Sequence, residues 1–273
     1  IRALEAQLDI SRTLFISASK SGSTLETRSH TDYFHAKGGV WAAITDPGSE
    51  LEELAAKEGF AATFSGEPTI GGRYSALSAF GMVPAALMGV DVARLLDRAQ
   101  EMADGCRHAD GNPGLELGLS LGENWRDGRD KVCIDAGDSS FGLWAEQLLA
   151  ESTGKLGKGL VPAPGESPDG PDRQAQEVRL PNEYELGQEF FRWEFATAVA
   201  GSILDINPFD QPDVQSAKDK TKEVLASGAE QPDVSPSGSA DELFAQAQPG
   251  DYVCIQAFVN PNSANEEKVL ALA

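Results

Sequence analysis

Two apolar periodicities alternate along this chain, and that alternation constrains its fold more than any other feature. Short runs rich in β-branched and aromatic residues occur at 13–18 ("TLFISA"), 39–46 ("GVWAAITD"), 131–136 ("KVCIDA") and 251–259 ("DYVCIQAFV"). Between them, residues 24–36, 49–58, 74–105, 114–127, 139–151, 184–204 and 213–226 carry helical periodicity. Continuous apolar runs suit strands buried on both faces, and intervening helices supply the crossovers that parallel pairing requires. Pro113 and Pro212 occupy helix-opening positions, where a missing N–H removes no helical hydrogen bond. The pattern predicts an α/β chain. The strand-poor stretch from 74 to 127 places a domain boundary near residue 128, giving segments 1–127 and 128–273. "APGESPDGPD" and "SGAEQPDVSPSGSADE" are rich in Pro, Gly, Ser and acids and are expected to be exposed loops.

Charge narrows the function classes. The chain has 22 Lys and Arg against 43 Asp and Glu, a net charge of −21. That argues against a nucleic-acid partner, which needs a basic footprint. It also repels anionic substrates at long range, so an anion site must be built from local donors: backbone N–H groups, hydroxyls and a few placed cations. The most apolar stretch, "FGMVPAALMGV", is too short to span a bilayer and contains a proline, so a soluble, cytoplasmic chain with no membrane partner is expected. Cys106, Cys133 and Cys254 are widely spaced and odd in number, which favours buried thiols over disulfides or a metal site. The start at Ile1 and the apparent helix "EEKVLALA" at the end suggest a fragment of a longer protein.

After the first strand comes a hydroxyl-rich turn, "SASKSGSTLET" (17–27). A helix entered there puts unpaired N–H groups and the positive end of its dipole at the strand's carboxyl edge, where open α/β sheets bind ligands. Ser19, Ser21, Ser23 and Thr24 could add hydroxyl donors to a phosphate. The competing reading is local, because Ser23-Thr24-Leu25-Glu26 spells a capping box. On this window alone the two readings balance.

Context breaks the tie. The turn, "TIGGRYSALSAFG", "QLLAESTGKLGKG" and "INPFDQPDVQSAK" follow one another in the order found in phosphoglucose (glucose-6-phosphate) isomerases. Over nearly its whole length the chain resembles that family, most closely the isomerase part of bacterial transaldolase–phosphoglucose isomerase fusions. "GGRYS" and "NPFDQP…K" are specific, whereas the serine-rich turn is shared with sugar isomerase (SIS) domains in general. The resemblance implies two SIS-type three-layer α/β/α domains with mainly parallel sheets, the first incomplete, and an active site between them. It further implies a homodimer, a transaldolase domain upstream in the same polypeptide, a sugar phosphate as substrate, and neither cofactor nor metal. The implied reaction interconverts glucose 6-phosphate and fructose 6-phosphate through a cis-enediol.

That chemistry needs a carboxylate base, a cation near the enediolate oxygens and a remote phosphate anchor. By the resemblance, Glu151 is the base, Arg73 stabilises the enediolate, and Lys218 lies near the ring oxygen. Gln211 lies near the bound sugar phosphate, and Ser19, Lys20, Ser21 and Thr24 anchor the phosphate. Each also has a bland reading: Glu151 a solvated carboxylate opposing a helix dipole, Arg73 a turn arginine after Gly71 and Gly72, Gln211 a cap residue, Lys218 a solvated lysine. Glu146 reads as surface. Two features depart from the family. The histidines His30, His35 and His108 all precede Glu151, so none is left to supply the family's ring-opening histidine beyond it. "VPAPGESPDGPDRQAQEVRL" is short for the family, and the usual glycine- and serine-rich strand–turn ahead of this region is missing. The alternatives are a non-catalytic SIS-type module that binds a sugar phosphate, and an inactive fragment of the isomerase.

Overall fold

The computed structural model describes residues 1–228, 238–248, 251, 257, 259, 260 and 262–271. By contacts the chain divides into residues 1–215 and 216–273. The first unit runs α1 (Arg2–Glu5), β1 (Leu14–Ala18), α2 (Leu25–His35), β2 (Val40–Thr45), α3 (Glu50–Glu58), β3 (Ala62–Ser65), α4 (Ala79–Leu87), α5 (Val92–Gly105), α6 (Pro113–Arg126), β4 (Lys131–Asp135), α7 (Phe141–Thr153), β5 (Val161–Pro164), β6 (Arg173–Glu177) and α8 (Glu185–Leu204). Helix α9 (Pro212–Ser227) leads into the second unit, which also holds α10 (Ala240–Phe244) and α11 (Ser263–Leu270).

The first unit contains two parallel sheets of three strands, ordered β1-β2-β3 and β5-β4-β6. The α/β class with parallel sheets is therefore as expected. The runs at 13–18, 39–46 and 131–136 form β1, β2 and β4, and the last two are almost wholly buried. Strands β3, β5 and β6 have no counterpart in the apolar reading. Each is an edge strand, where proline and polar residues are tolerated, as "VPAP" and "RQAQE" show. The expected strand "DYVCIQAFV" falls largely outside the described residues.

The 74–105 stretch is two helices and not one. Gly89, at φ 88°, turns the chain between them in the left-handed region, and Asp91 caps α5 by accepting from the Arg94 N–H at 3.2 Å. Pro113 opens α6 behind an Asn112 cap, as expected. Residues 165–171 are exposed, also as expected, although Ala163 and Pro164 belong to β5.

The main core lies between β4 and helices α6, α7 and α8, around Val132, Ile134, Leu121, Leu148, Leu149 and Trp193. Helices α6 and α8 pack closely because Gly114, Gly118 and Gly122 line one face of α6. A Cβ on Gly118 would lie 2.5 Å from Val199 Cβ, and one on Gly122 2.5 Å from Ile203 Cδ1. Side chains there would force the helices apart. Cys106 and Cys133 are buried and unbridged, and burial pushes both thiols up. Cys254 lies outside the described residues. Among the described residues no helix is long and apolar enough to cross a membrane.

Candidate active site

Three distant stretches of chain meet on one guanidinium. Arg73 sits in a 3-10 turn, Gly72–Tyr74, and is buried, with 4% of its side chain exposed. Its Nη1 lies 3.0 Å from Glu151 Oε1 and donates to Gln211 Oε1 at 2.7 Å. Its Nε donates to Ser152 Oγ at 3.0 Å. Its Nη2 donates to the carbonyls of Pro208 at 3.0 Å and Asp210 at 3.2 Å. A planar fork can address this many acceptors at fixed angles, which a single ammonium cannot.

Helix α7 supplies Glu151 and Ser152. As the crossover between the parallel strands β4 and β5, it runs back along the sheet and ends at the strands' amino edge. There Thr153 Oγ1 accepts from the Leu160 N–H at 2.9 Å, just ahead of β5. Glu151 is thus in the last turn of α7, and the helix continues through Thr153. Its side chain is 22% exposed. With Oε1 on Arg73, the other oxygen, Oε2, has only a 3.4 Å contact from Gln147 Nε2. Oε2 is the oxygen open to an incoming proton. Glu146 is exposed on α7, as expected.

The 205–211 loop supplies the third wall. Helix α8 ends at Asp205 in the left-handed region (φ 55°), and Pro208 settles over Gly201, where a Cβ would come within 2.9 Å of its ring. Lys155 is 6% exposed, and its Nζ donates to Asn207 O at 2.7 Å, Asp210 O at 2.6 Å and Asp210 Oδ1 at 2.7 Å. Lys158 Nζ donates to Leu204 O at 2.7 Å. The lysines of "STGKLGKG" are therefore struts that hold the loop. Tyr74 completes the frame: its hydroxyl reaches Ser152 Oγ at 3.2 Å and Pro208 O at 3.3 Å, and its ring lies 5.1 Å from that of Phe209. Burial pushes the Tyr74 phenol up. Ser152, Tyr74 and Lys155 lie inside the quoted motifs but have no role in the sequence reading, because their partners are distant in sequence.

At the carboxyl end of β1, the hydroxyls of the serine turn pair with one another. Ser19 Oγ accepts from the Gly22 N–H at 3.1 Å and lies 3.2 Å from Thr24 Oγ1. Ser21 Oγ lies 2.8 Å from Ser23 Oγ and accepts from the Ser23 N–H at 3.2 Å. This overturns the capping box. Ser23 is engaged by Ser21, and the N-cap of α2 is Thr24, whose side chain makes no cap bond. The first turn of α2 is left without a side-chain cap. Gly22 (φ 72°) is required, since a Cβ would strike Leu51 N at 2.3 Å. Lys20 is not a free cation: its Nζ pairs with Asp46 Oδ1 at 2.8 Å and donates to Glu67 O at 2.7 Å. Its stem passes 4.0 Å from where a Gly72 Cβ would be, which sets the serine turn beside the Arg73 turn.

The structure thus unites Arg73, Glu151 and Gln211 and places Ser19, Lys20, Ser21 and Thr24 in an adjoining turn. Lys218 is exposed on α9 in the second unit. Among the described residues no group of three or more His, Cys, Asp or Glu could hold a metal ion.

No family model matches the chain. A glucose-6-phosphate isomerase from Synechococcus sp. (strain JA-3-3Ab) is 37% identical over 161 residues, covering 54% of this chain and 30% of that protein. One from Nostoc punctiforme is 39% identical over 160 residues, with the same coverage, 54% and 30%. The chain is similar to part of a glucose-6-phosphate isomerase. The match spans 30% of the length of these relatives. A glucose-6-phosphate isomerase structure from Chlamydia trachomatis aligns with a TM-score of 0.64 at 17% identity, covering 89% of this chain and 64% of that one. A hypothetical protein from Thermus thermophilus aligns at 0.71 with 24% identity, over 82% and 74% of the two chains. At these identities the structural likeness bears on the fold alone, and that fold is shared with a glucose-6-phosphate isomerase.

Proposed function

We propose that this chain carries the proton-transfer centre of a glucose-6-phosphate isomerase, an aldose–ketose isomerase that works through a cis-enediol. The reading rests chiefly on one observation: a buried guanidinium and a partly exposed carboxylate are held 3.0 Å apart by residues from three separate segments. Glu151 Oε2 takes the proton from the carbon beside the carbonyl and returns it to the neighbouring carbon. The Arg73 charge lies beside the oxygens on which negative charge develops. Gln211 orients the sugar from the loop wall, and the serine turn with the uncapped amide end of α2 receives the phosphate. By the family pattern Lys218 serves the ring oxygen. The same pattern supports a homodimer, a cytoplasmic setting and a place behind a transaldolase domain in a fused polypeptide.

A coupled assay that follows glucose 6-phosphate formed from fructose 6-phosphate, run alongside sugar-phosphate binding, tests the reading. Turnover supports it. Binding without turnover favours a non-catalytic sugar-phosphate module, and neither activity favours an inactive fragment.

The phosphate anchor makes its own prediction. In Ser21→Ala with Thr24→Ala, neither lost hydroxyl caps α2 and the bonds lost to Ser23 and Ser19 are largely exposed, so thermal stability falls only modestly. Sugar-phosphate affinity weakens by roughly 1–3 kcal/mol, the range for hydrogen bonds to a charged group. Unchanged affinity by titration calorimetry removes the turn from the site.

A further inference from the structure

Helix α8 carries an acid that the site as described does not use. Glu194 lies in the otherwise largely apolar run "FFRWEFATAVAG". One turn before it, Phe190 packs on Trp144 with ring centroids 4.6 Å apart. One turn after it, Ala198 lines a cavity of about 580 Å³ together with Pro208 and Phe209. Glu194 therefore faces the interior behind the 205–211 loop, on the side where Tyr74 packs on Phe209. Its Oε1 is buried and accepts no hydrogen bond. Burial alone pushes the carboxyl up to about 8, so the uncharged form predominates at neutral pH.

The surrounding charges are paired elsewhere, although Arg98 Nε and Arg192 Nε are themselves buried without a hydrogen-bond partner. On α8 itself, Glu189 accepts from Trp193 Nε1 at 3.1 Å and from Arg192 at 3.2 Å, and Arg98 of α5 pairs with Glu185 at 2.9 Å. The charged residues of α6 (Glu116, Glu123 and Arg126) and Glu146 of α7 are exposed. Lys155 is held by Asn207 and Asp210, and Glu151 by Arg73. A charge at Glu194 acts on Tyr74 and raises its phenol further. Tyr74 in turn touches Ser152 Oγ and Pro208 O, the same two acceptors that hold Arg73 Nε and Nη2.

We propose that Glu194 is a positioning residue: uncharged behind Tyr74, it leaves the Tyr74–Ser152–Arg73 frame intact, and its ionisation loosens Arg73 and ends the working range of the site on the alkaline side. Once charged, a half-buried carboxylate with one oxygen buried and unpaired recruits a nearby donor. On this side of α8 the Tyr74 hydroxyl is the donor on which the Glu194 charge acts, and Arg73 shares that hydroxyl's two acceptors. Either movement takes a hydrogen bond from Ser152 or Pro208 and shifts the charge that faces Glu151.

The activity arm of the test rests on the isomerase reading. It compares kcat for fructose 6-phosphate against pH in the full chain and in Glu194→Gln, which stays uncharged at every pH. The parent loses turnover with a midpoint near pH 8. At pH 9 it keeps about a tenth of its plateau, as a single ionisation requires. In Glu194→Gln the midpoint moves up by at least about one pH unit, and Glu194→Met, apolar and of similar size, does the same. An identical midpoint in parent and variants overturns the proposal. A second readout needs no turnover: the Tyr74 phenol is titrated by ultraviolet absorbance as a difference against Tyr74→Phe. Glu194→Gln lowers its midpoint, and an unmoved midpoint likewise overturns the proposal. If the parent turns over no sugar phosphate, the isomerase reading fails and the phenol titration alone decides on Glu194.

Discussion

Glu151→Gln lowers turnover of fructose 6-phosphate by at least about a hundredfold, the usual scale for losing a general base, with sugar-phosphate affinity near the parent's. The two effects separate because of how the carboxylate is held. Oε1 faces Arg73 at 3.0 Å, and a glutamine carbonyl can keep that contact, so the Arg73 frame and the loop behind it persist. Oε2 is the oxygen with only a long contact, and an amide nitrogen there cannot take a proton. Steady-state kinetics with a thermal melt checks both halves. Turnover within a few-fold of the parent removes Glu151 from the mechanism.

Arg73→Lys retains the charge and loses the fork. Turnover falls by about tenfold to a thousandfold, the range for lost transition-state donors. The melting temperature falls too, which distinguishes this variant from Glu151→Gln. The parent guanidinium makes hydrogen bonds to Ser152, Gln211, Pro208 and Asp210 in addition to its ion pair with Glu151, and an ammonium has only three donors on one atom. Arg73→Met goes further: it strips the positive partner from a carboxylate and buried carbonyls, at a cost on the order of 3–5 kcal/mol. If Arg73→Lys raises only KM, Arg73 is a ground-state phosphate ligand.

The acid behind the frame has a stability signature of its own. Burial raises the Glu194 carboxyl from the ordinary carboxylate range to about 8 in the folded chain. The folded state therefore holds this proton when the unfolded state has lost it. The stability so gained is fully present below the unfolded value and is lost as pH rises through the folded one. Melting curves of parent and Glu194→Gln accordingly lie closest at low pH, where both side chains are uncharged, and separate between about pH 5 and pH 9, the variant gaining relative to the parent. A constant offset across that window contradicts a raised, buried Glu194.

What the sequence revealed follows from how local each signal is. Strands β2 and β4 are continuous apolar runs because both faces of a central strand are covered. The "RQAQE" of β6 is nearly opaque: it buries Gln174, whose Nε2 is satisfied at 2.7 Å by Arg129 O, a partner invisible in one dimension. The motif residues Arg73, Glu151 and Gln211 were nameable one by one, yet only the fold shows that a single guanidinium gathers them. The serine turn misled at one level. Its spelling fits a capping box, but the Ser21–Ser23 and Ser19–Thr24 contacts close the turn on itself. Lys155 has no role in the sequence reading of "STGKLGKG" and is a buried strut. Glu194 carried a legible sign, one acid in a largely apolar helical run, but its meaning depends on Tyr74, far upstream.

The step in which Glu151 moves a proton between adjacent carbons of a sugar phosphate is read directly by solvent exchange. Fructose 6-phosphate is incubated in D2O with the full chain and with Glu151→Gln, and deuterium at the exchangeable carbons is followed by proton NMR. The parent incorporates deuterium, and exchange in the variant is slowed at least about a hundredfold while the sugar phosphate still binds. Exchange at the parental rate in Glu151→Gln, or a parent that binds the sugar phosphate and exchanges nothing, would contradict proton transfer by Glu151.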